Sequence, residues 1–184
     1  FEPLLSALLN PNWIVRMSAA KGLSRIKDPR SIDTFILLLQ DKVPAVRDEA
    51  CRALQAIGEP CIPPLLKGLQ DPNWKIRLRA IEALALLKPQ EAVAPLMNLV
   101  ANDSDTAVRQ DAVRALGQMG NAYAIPLILD SLTTPSLQLK AIEALGNLRA
   151  PEALPHLIAL VQSLPADAYE DRMEGCTDPQ YKEE

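Results

Sequence analysis

An internal repeat of about 30 residues constrains the fold of this chain more than any other feature. A β-branched residue followed by Arg recurs at Val15-Arg16, Val46-Arg47, Ile76-Arg77 and Val108-Arg109, and Leu137-Gln138 is a fifth, altered copy. Successive copies lie 31, 30, 32 and 29 residues apart. A period of this length predicts a chain of equivalent stacked units rather than one closed core.

Other residues recur in register with this dipeptide. Ala follows the Arg or Gln position by three residues and Leu follows it by seven, at Ala19, Ala50, Ala80, Ala112 and Ala141 and at Leu23, Leu54, Leu84, Leu116 and Leu145. Asn10, Asp41, Asp71 and Asp103 precede the Arg by six residues, and the fifth copy departs from this rule. The apolar spacing predicts a helix with its Ala and Leu turned to the core.

A second, Leu-rich helix is predicted ahead of each of these helices. Its opening turn contains Pro3, Pro64, Pro95, Pro126 or Pro155, with Thr34 in the second unit. Pro is tolerated there because the N–H that it lacks would have no partner in the first turn of a helix. Helices this short are marginal alone, so the hairpins must stack. We predict an all-α, right-handed α-solenoid of about five helical hairpins plus a terminal helix at about 151–164.

These motifs resemble HEAT repeats, in which Pro marks the first helix and Asp and Arg mark the turn and the second helix. The short form, Val108-Arg109-x-x-Ala112-x-x-Ala115-Leu116-Gly117, is similar to the HEAT-like repeats of the phycobilisome-lyase group. The resemblance covers about residues 1–164. It implies a protein that holds a phycobiliprotein client and an open-chain tetrapyrrole, a bilin, in a groove, often together with a second HEAT-like subunit.

Charge divides the chain into two parts. The whole chain has a net charge of −4, and residues 165–184, with seven acidic and two basic side chains, carry −5, so residues 1–164 carry +1. We expect a HEAT-like solenoid at 1–164 and an acidic, flexible tail at 165–184. Neither part has the basic excess that nucleic-acid binding requires, and no membrane span is expected. The three Cys and one His favour neither a disulfide framework nor a metal site, and a reducing compartment, cytoplasm or plastid stroma, is expected.

Two sets of charged residues are candidates for different roles. We expect Asp41, Asp71 and Asp103 with Arg47, Arg77 and Arg109 to form a structural ladder that ties each repeat to its neighbour. The residues expected to face outward from the second helices, on the concave side, form a candidate partner-binding face: Met17, Ser18, Lys21, Asp48, Glu49, Arg52, Leu78, Arg79, Glu82, Gln110, Asp111, Arg114, Leu139, Lys140 and Glu143.

Trp13 and Trp74 occupy equivalent places at the start of two second helices, where other repeats have Pro44, Thr106 and Pro135. They are expected on one rim of the concave face. Packing of the turn between helices would account for them, and so would an aromatic anchor for a partner or a flat chromophore. No catalytic residue or resident cofactor is predicted.

Three functions compete at this point. The residues favour a non-catalytic scaffold that binds proteins through its concave face, and the resemblance implies, as the alternative, a bilin lyase or chaperone-like subunit that handles a bilin as a transferred ligand. A third class, HEAT-type hydroxylases and DNA glycosylases, needs His-Glu pairs or a basic groove. The single His, His156, is followed by Leu157, and no basic groove is expected.

Overall fold

The computed structural model describes residues 1–163, which contain eleven α-helices and no strand. Their bounds are α1 Glu2–Ala7, α2 Trp13–Ile26, α3 Ile32–Leu38, α4 Pro44–Ile57, α5 Ile62–Gly68, α6 Trp74–Leu87, α7 Val93–Asn102, α8 Thr106–Met119, α9 Ile125–Ser131, α10 Pro135–Leu148 and α11 Ala153–Ser163. Short 3-10 turns precede α3, α5, α7 and α9. The predicted all-α solenoid is confirmed. Consecutive pairs from α1/α2 to α9/α10 are repeats 1 to 5.

The chain divides into two compact units. Repeats 1 to 5 form the first, Phe1–Arg149, and the second begins at Ala150 and contains α11. The acidic tail predicted at 165–184 lies outside the described residues. None of the helices in residues 1–163 combines the length and apolar character needed to cross a membrane.

The predicted core register is confirmed in every repeat. The five recurring Ala residues are at most 3% exposed, and the five recurring Leu residues are at most 2% exposed. Phe35, Leu65, Leu96 and Ile128 are fully buried at one equivalent position of α3, α5, α7 and α9. The core therefore lies between a layer of short first helices and a layer of 14-residue second helices.

The second helices begin in one of two ways. In α2, α6 and α8 a side-chain oxygen of Asn12, Asn73 or Asp105 accepts a hydrogen bond from the backbone N–H two residues on, at 2.9–3.0 Å. In α4 and α10, Pro44 and Pro135 occupy the first position, where no N–H needs a partner. This first position is also where Trp13 and Trp74 lie.

The second helices end at left-handed or glycine residues. Lys27, Lys88 and Arg149 have φ of 56°, 53° and 51°, and Gly58 and Gly120 have φ of 83° and 75°. Helices commonly terminate in this way, because a positive φ turns the chain away from the helix axis. Only two of the five second helices therefore end at Gly.

The prolines of the first helices fall at two adjacent positions rather than one. Pro3 and Pro126 are the second residue of their helices, whereas Pro64, Pro95 and Pro155 are the third. All five prolines lie in the opening turn of their helices, as predicted. The chemistry is the same, because N–H groups throughout the first turn lack intrahelical partners.

Neighbouring second helices are not equally close. The position eight residues after the Arg or Gln faces the next repeat: a Cβ added to Gly117 of α8 would lie 2.5 Å from the Cα of Ala144 in α10. The same position is Ser24 in α2, Ala85 in α6 and Gln55 in α4. Small residues there allow close approach, and α4 and α6, where the residue is Gln, share far fewer close backbone contacts than the other pairs.

Candidate functional site

The Arg of each repeat first fixes its own turn. Nη1 of Arg16, Arg47, Arg77 and Arg109 donates to the backbone carbonyl six residues earlier, at 2.7–2.9 Å. In repeat 5, Gln138 donates from its amide to the corresponding carbonyl of Leu132 at 3.0 Å. The amide of Gln thus replaces the guanidinium where the Arg pattern fails.

Two of these arginines also clamp the next repeat. Arg16 donates to both carboxylate oxygens of Asp41, from Nε at 2.6 Å and from Nη2 at 2.8 Å. Arg77 holds Asp103 in the same way, at 2.7 and 2.8 Å. Burial, the largest single influence, raises the pKa of Asp41 and Asp103. The hydrogen bonds from the guanidinium groups, those from the backbone N–H of Val43 and Asp105, and the nearby positive charges together outweigh it, so both pKa values are lowered.

The expected ladder is interrupted between repeats 2 and 3. Within residues 1–163, Arg47 forms no ion pair with Asp71. The carboxylate of Asp71 keeps only the bond from the N–H two residues on, Asn73, at 2.8 Å, which Asp41 and Asp103 also make. Nε and Nη2 of Arg47 therefore have no carboxylate partner in this part of the chain. The wide α4–α6 spacing accounts for the difference, because this bridge requires neighbouring repeats to be close. The expectation that Arg47 and Asp71 tie two repeats together is wrong. It is wrong for Arg109 as well, which bonds the carbonyl of Asp103 and the hydroxyl of Thr106 but, within residues 1–163, no carboxylate of the next repeat.

The face formed by the second helices, which we call the inner face, carries a row of ion pairs at two equivalent positions. The pairs are Glu49–Arg52 at 2.9 Å, Arg79–Glu82 at 2.6 Å, Asp111–Arg114 at 3.0 Å and Lys140–Glu143 at 2.8 Å. The order of acid and base reverses from each repeat to the next. Most charge on the inner face is therefore balanced within one helix, and such pairs contribute little stability.

A groove of about 490 Å³, which we call the inner groove, crosses this face over repeats 2 to 4. It is lined by five of the predicted partner-binding residues, Asp48, Arg52, Arg79, Glu82 and Arg114, together with Arg47, Cys51, Gln55, Leu86 and Gln118. The last five were missed as lining residues. Gln55 had a detectable signal, since the equivalent positions hold Ser, Ala or Gly.

Other predicted face residues are placed differently. Glu49 is only 6% exposed, so its expected outward position is wrong. It lies about 40° around the helix from the buried Ala53, as any residues four apart do. Met17 and Leu78 are half-buried, whereas Leu139 is 66% exposed. Residues outside the inner groove are Met17, Ser18, Lys21, Leu78, Gln110, Asp111, Leu139, Lys140 and Glu143.

A second groove, which we call the Trp74 groove, adjoins the inner groove, because Arg47 and Arg79 line both. It is lined by Gln40, Asp41, Lys42, Arg47, Asn73, Trp74, Lys75, Leu78 and Arg79. Nζ of Lys75 lies 5.7 Å from the centre of the Trp74 ring, within the range of a cation–π interaction. Four cations face one acid, Asp41, which Arg16 already holds.

The two tryptophans are equally exposed, at 40%, but only Trp74 lines a groove with cationic neighbours. Trp13 lies outside both grooves. The aromatic rim expected from the sequence therefore stays a prediction for Trp13.

Cys51 lies in the inner groove but is a weak nucleophile. Burial, with added repulsion from Glu82 and Asp48, raises the pKa of its thiol to about 11. Cys61 is fully buried, and burial raises its pKa to about 11 as well. A thiol with so high a pKa has little thiolate near neutral pH. The described residues also contain no group of three or more His, Cys, Asp or Glu that could hold a metal ion.

Stacked hairpins with a Pro-containing first helix and an Arg-anchored second helix define an α-solenoid of the HEAT type. Residues 1–61 and 62–139 each match the HEAT repeats family, and residues 137–163 match the PBS lyase HEAT-like repeat. The chain belongs to the HEAT-repeat family.

Individual relatives show which proteins with HEAT repeats this chain is similar to. The chain is 26% identical over 179 residues to the uncharacterized phycocyanin operon protein Z of Pseudanabaena tenuis (strain PCC 7409), covering 91% of this chain and 88% of that protein. It is 30% identical over 103 residues to phycocyanobilin lyase subunit beta of Nostoc sp. (strain PCC 7120), covering 56% of this chain and 52% of that subunit. The chain thus matches about half the length of this lyase subunit.

A solved structure extends the similarity to three dimensions. The structure of the complex of CpcE and CpcF of phycocyanin lyase from Nostoc sp. PCC7120 superposes with a TM-score of 0.57 at 26% identity, covering 87% of this chain and 69% of the matched chain. These relatives favour the bilin-related alternative over the non-catalytic scaffold that the residue pattern favoured.

Proposed function

We propose that this chain is a HEAT-like subunit of the bilin-lyase type, which holds an open-chain tetrapyrrole on its inner face while the pigment is attached to, or removed from, a cysteine of a phycobiliprotein. The observation that carries this proposal is the likeness to the CpcE–CpcF lyase structure over 87% of the chain. The names of the lyase relatives support the same ligand and client.

The inner face is better suited to binding a bilin than to forming the covalent bond between the bilin and a cysteine. The thiols of Cys51 and Cys61 have a pKa of about 11, so neither is an effective nucleophile near neutral pH. The nucleophilic thiol would come from the client protein, and this chain would fix the geometry. A bilin carries two propionate groups on a flat conjugated body, which suits a groove with four arginines and an adjoining Trp.

The proposed partners are a phycobiliprotein subunit and a second HEAT-like subunit. The second partner is proposed because the matched solved structure is a complex of two lyase subunits. The residues that the partners would contact remain proposals. Leu139, 66% exposed on α10, is the most exposed apolar candidate on the inner face.

Mixing the purified chain with phycocyanobilin and an apo-phycocyanin subunit, with and without a second lyase subunit, tests this function. We expect a change in the visible absorbance of the bilin with the chain, and pigment bound covalently to the client in the complete mixture. Arg79→Ala, in both grooves, should weaken the absorbance change, whereas Arg25→Ala, on an exposed part of α2 outside both grooves, should not. An unchanged bilin spectrum in every mixture would contradict the proposal.

A non-catalytic scaffold remains the second candidate, and the row of balanced ion pairs favours it. A face that mixes both charge signs over four repeats resembles the polar part of a protein interface more than a pigment pocket. A stable complex with the client protein that forms equally well without bilin, and leaves the bilin spectrum unchanged, would support this candidate instead.

A further inference from the structure

We infer that the junction between repeats 2 and 3 is the ligand cleft of the solenoid, held open by Gln55, and that Arg47 binds a carboxylate of a flat, acidic ligand there. This inference rests on the proposed function for the identity of the ligand, a bilin. It adds which junction binds the ligand, which residue holds its carboxylate and why that residue is free.

The first step is the spacing of the helices. Gln55 occupies the position at which Gly117 brings α8 into contact with Ala144 of α10. At this junction α4 and α6 lie farther apart than the other neighbouring second helices, and the long amide side chain of Gln55 is exposed there. The inner groove opens along this line, with Gln55 and Cys51 on one side and Arg79 and Glu82 on the other.

The second step is the guanidinium of Arg47. The equivalent Arg16 and Arg77 use Nε and Nη2 to hold a carboxylate of the next repeat, at 2.6–2.8 Å. Arg47 makes the same turn bond through Nη1, at 2.7 Å, but its carboxylate-binding edge holds no carboxylate in the described chain. Arg109 likewise holds no carboxylate, and its Nη2 donates to Thr106 at 3.1 Å, but it lines neither groove. Arg47 is therefore the arginine of this register that combines an edge without a carboxylate with a place at the wide junction in both grooves.

The third step is the surroundings of Arg47. It lines both the inner groove and the Trp74 groove, and Arg79 does the same from the other side of the cleft. Lys42 and Lys75 add positive charge, and Trp74 and Leu78 offer apolar surface. A ligand that suits this cleft has a flat apolar body and at least one carboxylate, as a bilin does.

The test is a binding titration of the full chain with free phycocyanobilin and with its dimethyl ester, which lacks the two carboxylates. Arg47→Ala should weaken binding of the free acid by about tenfold or more, as expected for a lost charge-assisted bond, and should leave ester binding nearly unchanged. Arg109→Ala is the matched control, because it loses the same turn bond in repeat 4 and lines neither groove.

A second variant tests the open junction itself. Gln55→Ala should let α6 approach α4. This should raise the melting temperature of the protein and weaken its binding of the free acid. Two results would refute the cleft as the binding site while leaving bilin binding by the chain intact. They are equal losses of affinity in Arg47→Ala and Arg109→Ala, or equal affinity of the wild type for the acid and the ester. No binding of either ligand to the wild-type chain would overturn both the cleft and the proposed function.

Discussion

Replacing Gly117 by Ala should destabilise the protein, although the same change stabilises most helices. A Cβ at Gly117 would lie 2.5 Å from the Cα and 2.6 Å from the Cβ of Ala144, where ordinary contact begins at 3.4 Å. The α8 and α10 backbones must therefore separate by about 1 Å in a core packed without slack. Overpacking of this kind costs about 3 kcal/mol at its upper end, against about 1 kcal/mol gained in helix propensity. We expect a net loss of about 2 kcal/mol.

Gly146 supplies the matched control, because it occupies the same position of α10 and a Cβ there would meet nothing within 4 Å. Gly146→Ala should therefore gain about 1 kcal/mol from helix propensity alone. Urea unfolding followed by far-ultraviolet circular dichroism measures both, provided the slope with denaturant is unchanged. If Gly117→Ala proved as stabilising as Gly146→Ala, the close approach of α8 and α10 would be refuted.

Three further predictions follow from burial and charge. Leu84→Ala, at a fully buried site, should cost about 2–5 kcal/mol in urea unfolding; a loss below about 0.5 kcal/mol would contradict its burial. Because the pKa of Asp103 is lowered, its contribution to stability is complete above its unfolded pKa and lost as the pH falls below about 4. Asp103→Asn should therefore flatten stability against pH in that range, and an unchanged pH profile in this variant would refute the role of the Arg77–Asp103 pair. Cys51, with a pKa of about 11 against an ordinary 9.0, should hold about a hundredfold less thiolate than a free thiol at neutral pH. It should react with iodoacetamide about tenfold more slowly, because a more basic thiolate is also a stronger nucleophile, and a rate equal to that of a free thiol would refute this.

The sequence was enough to predict the repeats, because each rests on short-range chemistry. Spacings of three and seven residues place Ala112 and Leu116 on one side of α8 whatever lies beyond it, and both are fully buried. The hydrogen bond from each Arg to the backbone carbonyl of its own turn could likewise be predicted, since the donor and the acceptor are only six residues apart.

The interrupted ladder and the grooves could not be predicted from the sequence in the same way. Whether Arg47 reaches Asp71 depends on the distance between α4 and α6, which the repeated motif does not specify, because the motif is the same at the close and the wide junctions. The prediction that Glu49 is exposed was wrong for a related reason. Glu49 lies at the edge of the buried side of α4, where a small rotation of the helix decides whether a side chain is exposed. Motif spacing defines each unit, and side chains between motifs define how far apart the units lie.

The unequal junctions also bear on how the array loses structure. Each hairpin closes its own turn through an Arg or Gln side chain but is marginal alone, so the interfaces between repeats decide which repeats unfold together. The interface between repeats 2 and 3 lacks both the bridge and the close packing of its neighbours. Native-state hydrogen exchange should therefore divide repeats 1–2 from repeats 3–5, with amides in each block sharing one opening free energy.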